Sequence, residues 1–301
     1  MKHSKMSGTE ITLQSGDYTA RIVTVGAGLA GLTLQGHDLI IGHSVDELPP
    51  SYLGKTLMPW PNRISRGTYT WEGQTYEVPV NEFSTGAALH GFMCWEDWRV
   101  VHADHDSATL GALISPRYGY PWALEAWVTY AVHSTRGLTV TLSAKNVGSE
   151  PAPYGVSSHP YLSVDGKTVD QCELTVPADL VLEVDENLAP VATRSVTDLD
   201  VDFRSSHTID ARRIDHAFTG LPDTEWTVSL RDPDTGLTSS LSANVPWVQV
   251  FSGDHPALAR SGAAVEPMTC PPDAFNSGED VIVLAPGESH TLTFTISGSL
   301  A

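Results

Sequence analysis

The sequence predicts an all-β fold, a large sandwich of antiparallel strands, and three observations carry the prediction. Apolar and polar residues alternate with period two in several separate runs. Gly- and Pro-containing turn signals separate those runs. No stretch sustains the i, i+3, i+4 spacing of an amphipathic helix for three turns.

In chain order, Ile22-Val23-Thr24-Val25 leads into a glycine-rich segment, after which Leu32, Leu34, Leu39 and Ile41 alternate as strands do. Thr68-Tyr69-Thr70-Trp71 is strand-like and stops at Glu72-Gly73. Val100-Val101 and Leu110-Gly111-Ala112-Leu113 flank a polar turn. Trp122 to Tyr130 alternates, and Leu138, Val140, Leu142 and Ala144 share one face of the next run. Trp226-Thr227-Val228-Ser229-Leu230 and Thr291 to Ser297 continue the pattern. Val147-Gly148, Asp165-Gly166, Asp234-Thr235-Gly236 and Ala285-Pro286-Gly287 mark the turns between them. The strand spacing crosses the middle of the chain without a linker or repeat. It therefore predicts a single β-sandwich domain over 11–301, preceded by a flexible polar tail over 1–10.

Composition narrows the function. With 17 Lys+Arg against 36 Asp+Glu the formal charge is −19, which repels phosphate backbones and anionic headgroups. Neither a nucleic-acid nor a membrane partner is expected. No apolar run approaches the length of a bilayer span, and the N-terminus lacks the apolar core of a signal peptide. Cys94, Cys172 and Cys270 are odd in number and include no C-x-x-C pair, which argues against disulfides and zinc knuckles. A reduced, cytoplasmic location is the default expectation.

Three motifs invite chemistry and are better explained as turns. Gly26-Ala27-Gly28-Leu29-Ala30-Gly31 is a literal G-x-G-x-x-G, but Gly36 falls inside what would be the following helix and no βαβ pattern appears. A glycine-rich hairpin is expected. His102-Ala103-Asp104-His105-Asp106 lacks a second cluster to complete a metal shell, so no metal is expected there. Asp232-Pro233-Asp234-Thr235-Gly236 lacks the acidic twelfth residue of a calcium loop.

Five polar positions stand in stiff local contexts. Asn62-Arg63 follows Met58-Pro59-Trp60-Pro61, and His90 sits in Leu89-His90-Gly91-Phe92. His159 precedes Pro160-Tyr161, Asp215 sits in Ile214-Asp215-His216, and Glu266 precedes Pro267. A following proline holds His159 and Glu266 in extended backbone, which suits groups that must be placed accurately to move protons. Three of these positions also have a plain structural reading. His90 would serve as a satisfied buried histidine, Asp215 as a turn residue, and Arg63 as the partner of a structural carboxylate.

Taken in order, Asn62-Arg63, Leu89-His90-Gly91, His159-Pro160-Tyr161, Asp215 and Glu266 resemble the aldose 1-epimerase (galactose mutarotase) family. Gly119-Tyr120-Pro121, Asn146-Val147-Gly148 and Leu284-Ala285-Pro286-Gly287-Glu288 add to the resemblance, which runs from about Tyr18 to the C-terminus. It implies a galactose mutarotase-like antiparallel β-supersandwich and a cofactor-independent isomerase that interconverts the α and β anomers of a free aldose. Glu266 would be the general base on the C1 hydroxyl and His159 the general acid on the ring oxygen. Arg63, His90 and Asp215 would hold sugar hydroxyls with Asn62 in support. The partner implied is a hexose-type sugar; the oligomeric state stays open.

The residue types suit that chemistry, since ring opening removes one proton and delivers another at two oxygens of one carbon. Trp60, Trp95 and Trp98 are candidates to stack on the sugar, or else core aromatics. Leu162-Ser163 stands where galactose-type members usually carry Phe-Asn, Met268 where many have Gln or Ser, and Pro271-Pro272 adds a residue before Asp273. These departures bear on the preferred sugar more than on the reaction. Two alternatives stay open: a hexose-phosphate 1-epimerase, which needs further cations, and a non-catalytic carbohydrate-binding sandwich, which needs no proton-transfer pair.

Overall fold

The computed structural model describes residues 5–300, and its ladders are antiparallel, as the period-two runs require. Nine strands form the largest sheet, in the order Arg99–Ala103, Ser107–Ile114, Leu124–His133, Gly137–Asn146, Ser289–Ser299, Thr238–Ala243, Trp226–Arg231, Glu173–Thr175, His207–Thr208. A six-stranded sheet runs Tyr161–Leu162, Ala263–Met268, Trp247–Phe251, Asp215–Thr219, Leu180–Val184, Pro190–Ser195. Four N-terminal strands between Glu10 and Asp38 form a third. Together they make the large antiparallel β-sandwich that the alternation predicts.

Leu124–His133 shows why the alternation folds this way. Leu124, Ala126, Val128, Tyr130 and Val132 point into the core while the intervening residues reach outward. Each fully buried aliphatic side chain of this kind is worth about 1.5–3 kcal/mol. One apolar cluster draws on residues from Leu13 to Ile296, so the termini close on the same core.

Of the tail expected over 1–10, residues 1–4 lie outside the described residues. From Ser7 onward the chain is held: Ser7 is buried, its N–H donates to Val45 O at 2.9 Å, and Glu10 opens the first strand. Gly26–Gly31 forms the turn and start of the hairpin Tyr18–Val23/Gly28–Leu34, as the glycine pattern suggested. Leu39 and Ile41, expected in a strand, lie beyond the two-residue strand His37–Asp38. Of the polar turn expected over 102–106, His102 and Ala103 end the strand Arg99–Ala103 and only 104–106 turn into Ser107–Ile114, while 232–236 turns between Trp226–Arg231 and Thr238–Ala243. Cys94, Cys172 and Cys270 are buried and unpaired. Among the described residues no helix is long and apolar enough to cross a membrane.

Two adjacent strands of the six-stranded sheet, Trp247–Phe251 and Ala263–Met268, divide their side chains between two environments. Val248 and Val250 on one, and Ala263 and Val265 on the other, face the main core. The opposite face carries Trp247, Gln249 and Phe251 beside Ala264, Glu266 and Met268. Small apolar clusters flank this face on both sides, one around Tyr161 and Ala264, the other around Trp247 and Met268. Gln249 and Glu266, register partners, stand between them as polar residues on an otherwise apolar floor.

Candidate active site

The six residues singled out in the sequence converge on one cavity of about 430 Å³, a volume suited to a small ligand. Asn62, Arg63, His90, His159, Asp215 and Glu266 all line it. Glu266 reaches it from the middle of Ala263–Met268 and Asp215 from the first position of Asp215–Thr219. His159 lies between the short strands Ser157–Ser158 and Tyr161–Leu162. Its backbone is fixed by Lys55 O, which accepts its N–H at 3.0 Å, and by Gly54 N–H, which donates to its carbonyl at 2.9 Å.

At the closed end, His159 Nε2 lies 3.4 Å from Glu266 Oε1, with side-chain exposures of 6% and 2%. His159 Nδ1 and Glu266 Oε2 are buried without a hydrogen-bond partner among the described residues. The imidazole is clamped by π-contacts, stacked on Tyr161 at 5.0 Å between centroids and edge-on to His90 at 5.2 Å. Burial lowers the His159 imidazole to about 3, with the Arg63 charge adding to the shift. Burial pushes the Glu266 carboxyl well above its ordinary value, and nearby Asp215 pushes it further. Both shifts oppose the doubly charged form of the pair, an imidazolium beside a carboxylate.

Asn62 and His90 both take left-handed backbone, with φ of 53° and 66°. Asn is among the residues that tolerate this conformation best. Gly91 has to be glycine, since a Cβ there would lie 2.0 Å from Met58 O. Asn62 Oδ1 accepts from the Arg63 N–H at 2.9 Å, which turns the chain into the strand Arg63–Ile64. Arg63 donates from Nε and from Nη2 to the two oxygens of Glu82, at 2.7 and 2.9 Å, in a bidentate pair. Burial would raise the Glu82 carboxyl, but the Arg63 bonds outweigh it and hold it below its ordinary value. Asp215 Oδ1 accepts from Gln249 Nε2 at 2.6 Å; burial raises the Asp215 carboxyl, and the Arg63 charge offsets part of the rise.

His90, His159 and Glu266 each offer a possible metal-ligand atom within 4.8 Å of one another. His90 fits poorly as a ligand. Its Nδ1 accepts the Asn62 N–H at 3.2 Å, so the ring hydrogen of the neutral imidazole is on Nε2. A metal-binding histidine instead keeps a lone pair toward the ion and donates its other N–H outward. Two remaining ligands are too few for a zinc site. The exposed group Asp104, His105, Asp106 is a turn in which Asp104 Oδ1 accepts backbone N–H groups of Asp106 and Ser107.

Of the two readings left open for the tryptophans, the core one fits Trp60 and Trp98. None of Trp60, Trp95 and Trp98 lines the cavity. Trp60 and Trp98 are core residues at 2% and 1% exposure, and Trp95 leans on Tyr52 outside. The aromatic walls are Tyr52, Tyr161 and Phe251. Gln249, Glu82 and His255 also line the site and escaped the sequence reading. Gln249 sits opposite Glu266 only because two strands pair, and Glu82 is recognisable only through its bond to Arg63. For His255 the sequence offers no signal.

Comparisons with known proteins give the family and the fold. The aldose 1-epimerase family model matches residues 9–297. The uncharacterized protein YihR of Escherichia coli is 45% identical over 292 residues, covering 97% of this chain and 94% of that one. Bovine galactose mutarotase is 26% identical, covering 95% of this chain and 93% of its own. Among solved structures, the GalM/aldose epimerase homologue from C. elegans superposes with a TM-score of 0.88 at 24% identity, covering 97% of this chain and 99% of its own. At that identity the superposition speaks for the fold alone.

Proposed function

This chain belongs to the aldose 1-epimerase family, and from that premise we propose that it is a cofactor-independent mutarotase that interconverts the α and β anomers of a free aldose. The observation that carries the proposal is the approach of His159 Nε2 to Glu266 Oε1 at 3.4 Å in the buried end of one cavity. A hemiacetal carbon bears two oxygens, the ring oxygen and the C1 hydroxyl, and a pair this close can address both.

In this reading Glu266 takes the proton of the C1 hydroxyl as the C1–O5 bond breaks, and His159 delivers a proton to the ring oxygen. The C1–C2 bond then rotates in the open aldehyde. Reclosure on the other face returns both protons, so the pair ends as it began. One proton shared between the two groups is the inventory the reaction needs. Burial alone leaves that proton on the carboxyl; hydrogen bonds from a bound polyol to the carboxylate favour its transfer to the imidazole.

The remaining residues bind and orient. His90 presents Nε2–H as a donor, and Asp215 accepts from hydroxyls while Gln249 steadies it. Arg63 contributes its remaining N–H donors, and Asn62 fixes the Arg63 and His90 backbones. The hexose-phosphate alternative finds less support. Arg63 is the only Arg or Lys among the described residues lining the cavity, and Glu82 already engages it. Retention of a buried acid–base pair likewise disfavours a pure binding module.

Polarimetry of freshly dissolved α-glucose, α-galactose and other crystalline aldoses tests the proposal. Wild-type protein should accelerate the change of rotation for at least one of them. No acceleration with any aldose would leave binding as the better reading.

A further inference from the structure

The loop joining Trp247–Phe251 to Ala263–Met268 connects the strands of Gln249 and Glu266, and it places His255 at the cavity wall. His159 and Glu266 are buried, whereas His255 is exposed, so the cavity has a closed floor and an open mouth, with His255 on the mouth side.

The loop is fastened. Arg260 commits its donors to five bonds, to Asp170 at 2.5 Å, Asp254 at 2.6 Å, Ser252 Oγ at 3.2 Å, and the carbonyls of Asp210 and Arg212 at 3.0 Å each. Both Ala259 and Arg260 take left-handed backbone to allow this. His255 O closes a tight turn by accepting the Leu258 N–H at 2.9 Å. The ring is oriented too: His255 Nδ1 accepts the Ala257 N–H at 3.2 Å, which puts the hydrogen of the neutral ring on Nε2. His255 is thus an oriented hydrogen-bond donor at the mouth.

Ring geometry says what such a donor would meet. If the C1–O5 bond lies against the floor pair, the C3–C4 bond, across a pyranose ring from it, faces the opening. We infer that His255 is a specificity residue that reads the hydroxyls on C3 and C4, with Arg260 holding its loop in position. The inference rests on the mutarotase reading. It assigns the choice among aldoses to a residue remote from the proton-transfer pair.

The test is polarimetric kcat and KM for α-glucose, α-galactose and α-allose, which differ only at C4 or C3, with wild type, His255→Ala and His255→Gln. Wild type should discriminate among the three. His255→Ala should raise KM for the preferred sugar about three- to tenfold with kcat nearly unchanged, the size of effect a partly exposed hydrogen bond gives. The spread of kcat/KM values then narrows, and His255→Gln, which keeps a donor, should restore part of it. Unchanged ratios in a folded, active His255→Ala variant would overturn the inference and leave the mutarotase reading standing. Wild-type protein that accelerates no aldose at all would overturn both.

Discussion

Asn62 and His90 hold each other in place: the His90 N–H donates to Asn62 O at 2.8 Å, and the Asn62 N–H donates to His90 Nδ1 at 3.2 Å. The second bond decides the tautomer, and with it what His90 can do. A histidine fixed as Nε2–H donates to a ligand oxygen and does not ligate a metal. Replacing it by Phe would keep an aromatic edge against His159 but leave the Asn62 N–H without an acceptor. His90→Phe should therefore raise KM about tenfold or more, by loss of a buried hydrogen bond to substrate, with a smaller change in kcat. Steady-state polarimetry checks the split; a loss confined to kcat would place His90 in the proton chemistry instead.

The shared proton has a pH consequence. His159 is held low, at about 3, and Glu266 is held high, both chiefly by burial. Below the lower limit the pair gains a second proton, and above the upper limit it has none. Enzymatic kcat/KM, corrected for spontaneous mutarotation, should stay flat through the neutral range and well into the acid range. A steep acid limb at about 6.5, the value of an ordinary histidine, would contradict a His159 imidazole held low by burial.

Glu266 also predicts a stability effect of definite sign. Its carboxyl is raised in the folded state, so as pH climbs past the ordinary value of 4.5 the unfolded chain ionises while the folded chain does not. Wild type loses stability over that interval; Glu266→Gln, which does not titrate, is spared that loss. The Tm of the variant minus that of wild type should be larger at neutral pH than at pH about 4, by about 2 °C or more. A difference independent of pH, read by calorimetry, would show that burial does not penalise the carboxylate.

Glu82 prepares Arg63 for its task. The pair is mostly buried, with side-chain exposures of 12% and 20%, so removing the carboxylate leaves a guanidinium without its partner. Glu82→Gln should lower stability by about 3 kcal/mol and raise KM, since the freed guanidinium loses its bidentate anchor. Denaturant unfolding together with KM for the preferred aldose checks both. Unchanged KM would take Arg63 out of substrate binding.

These residues differ in how visible they are in the chain. His159 and Glu266 stand out because proline follows each, and Asn62-Arg63 because two prolines precede it within a few residues. The period-two runs expose the fold for the same reason that they form it: Leu138, Val140 and Leu142 fall on one face in both sequence and structure. Gln249 is different. Its role comes from lying opposite Glu266 and diagonal to Asp215, and that register exists only after three strands have paired. The tryptophans stay ambiguous in the sequence because a large aromatic serves a core as well as a sugar. Trp60 fills space against Phe92 and Phe275, while two tyrosines and Phe251 wall the cavity.

The most direct test is the α–β exchange rate of an aldose already at anomeric equilibrium, read by saturation transfer between its two anomeric proton signals, with wild type and Glu266→Gln. Gln keeps the size of the side chain and removes only its ability to take a proton. Wild type should give enzyme-dependent exchange, and the variant should be slower by a factor of about 10² to 10⁴ while still binding the sugar. Exchange by Glu266→Gln at the wild-type rate would contradict the assignment of Glu266 as the base.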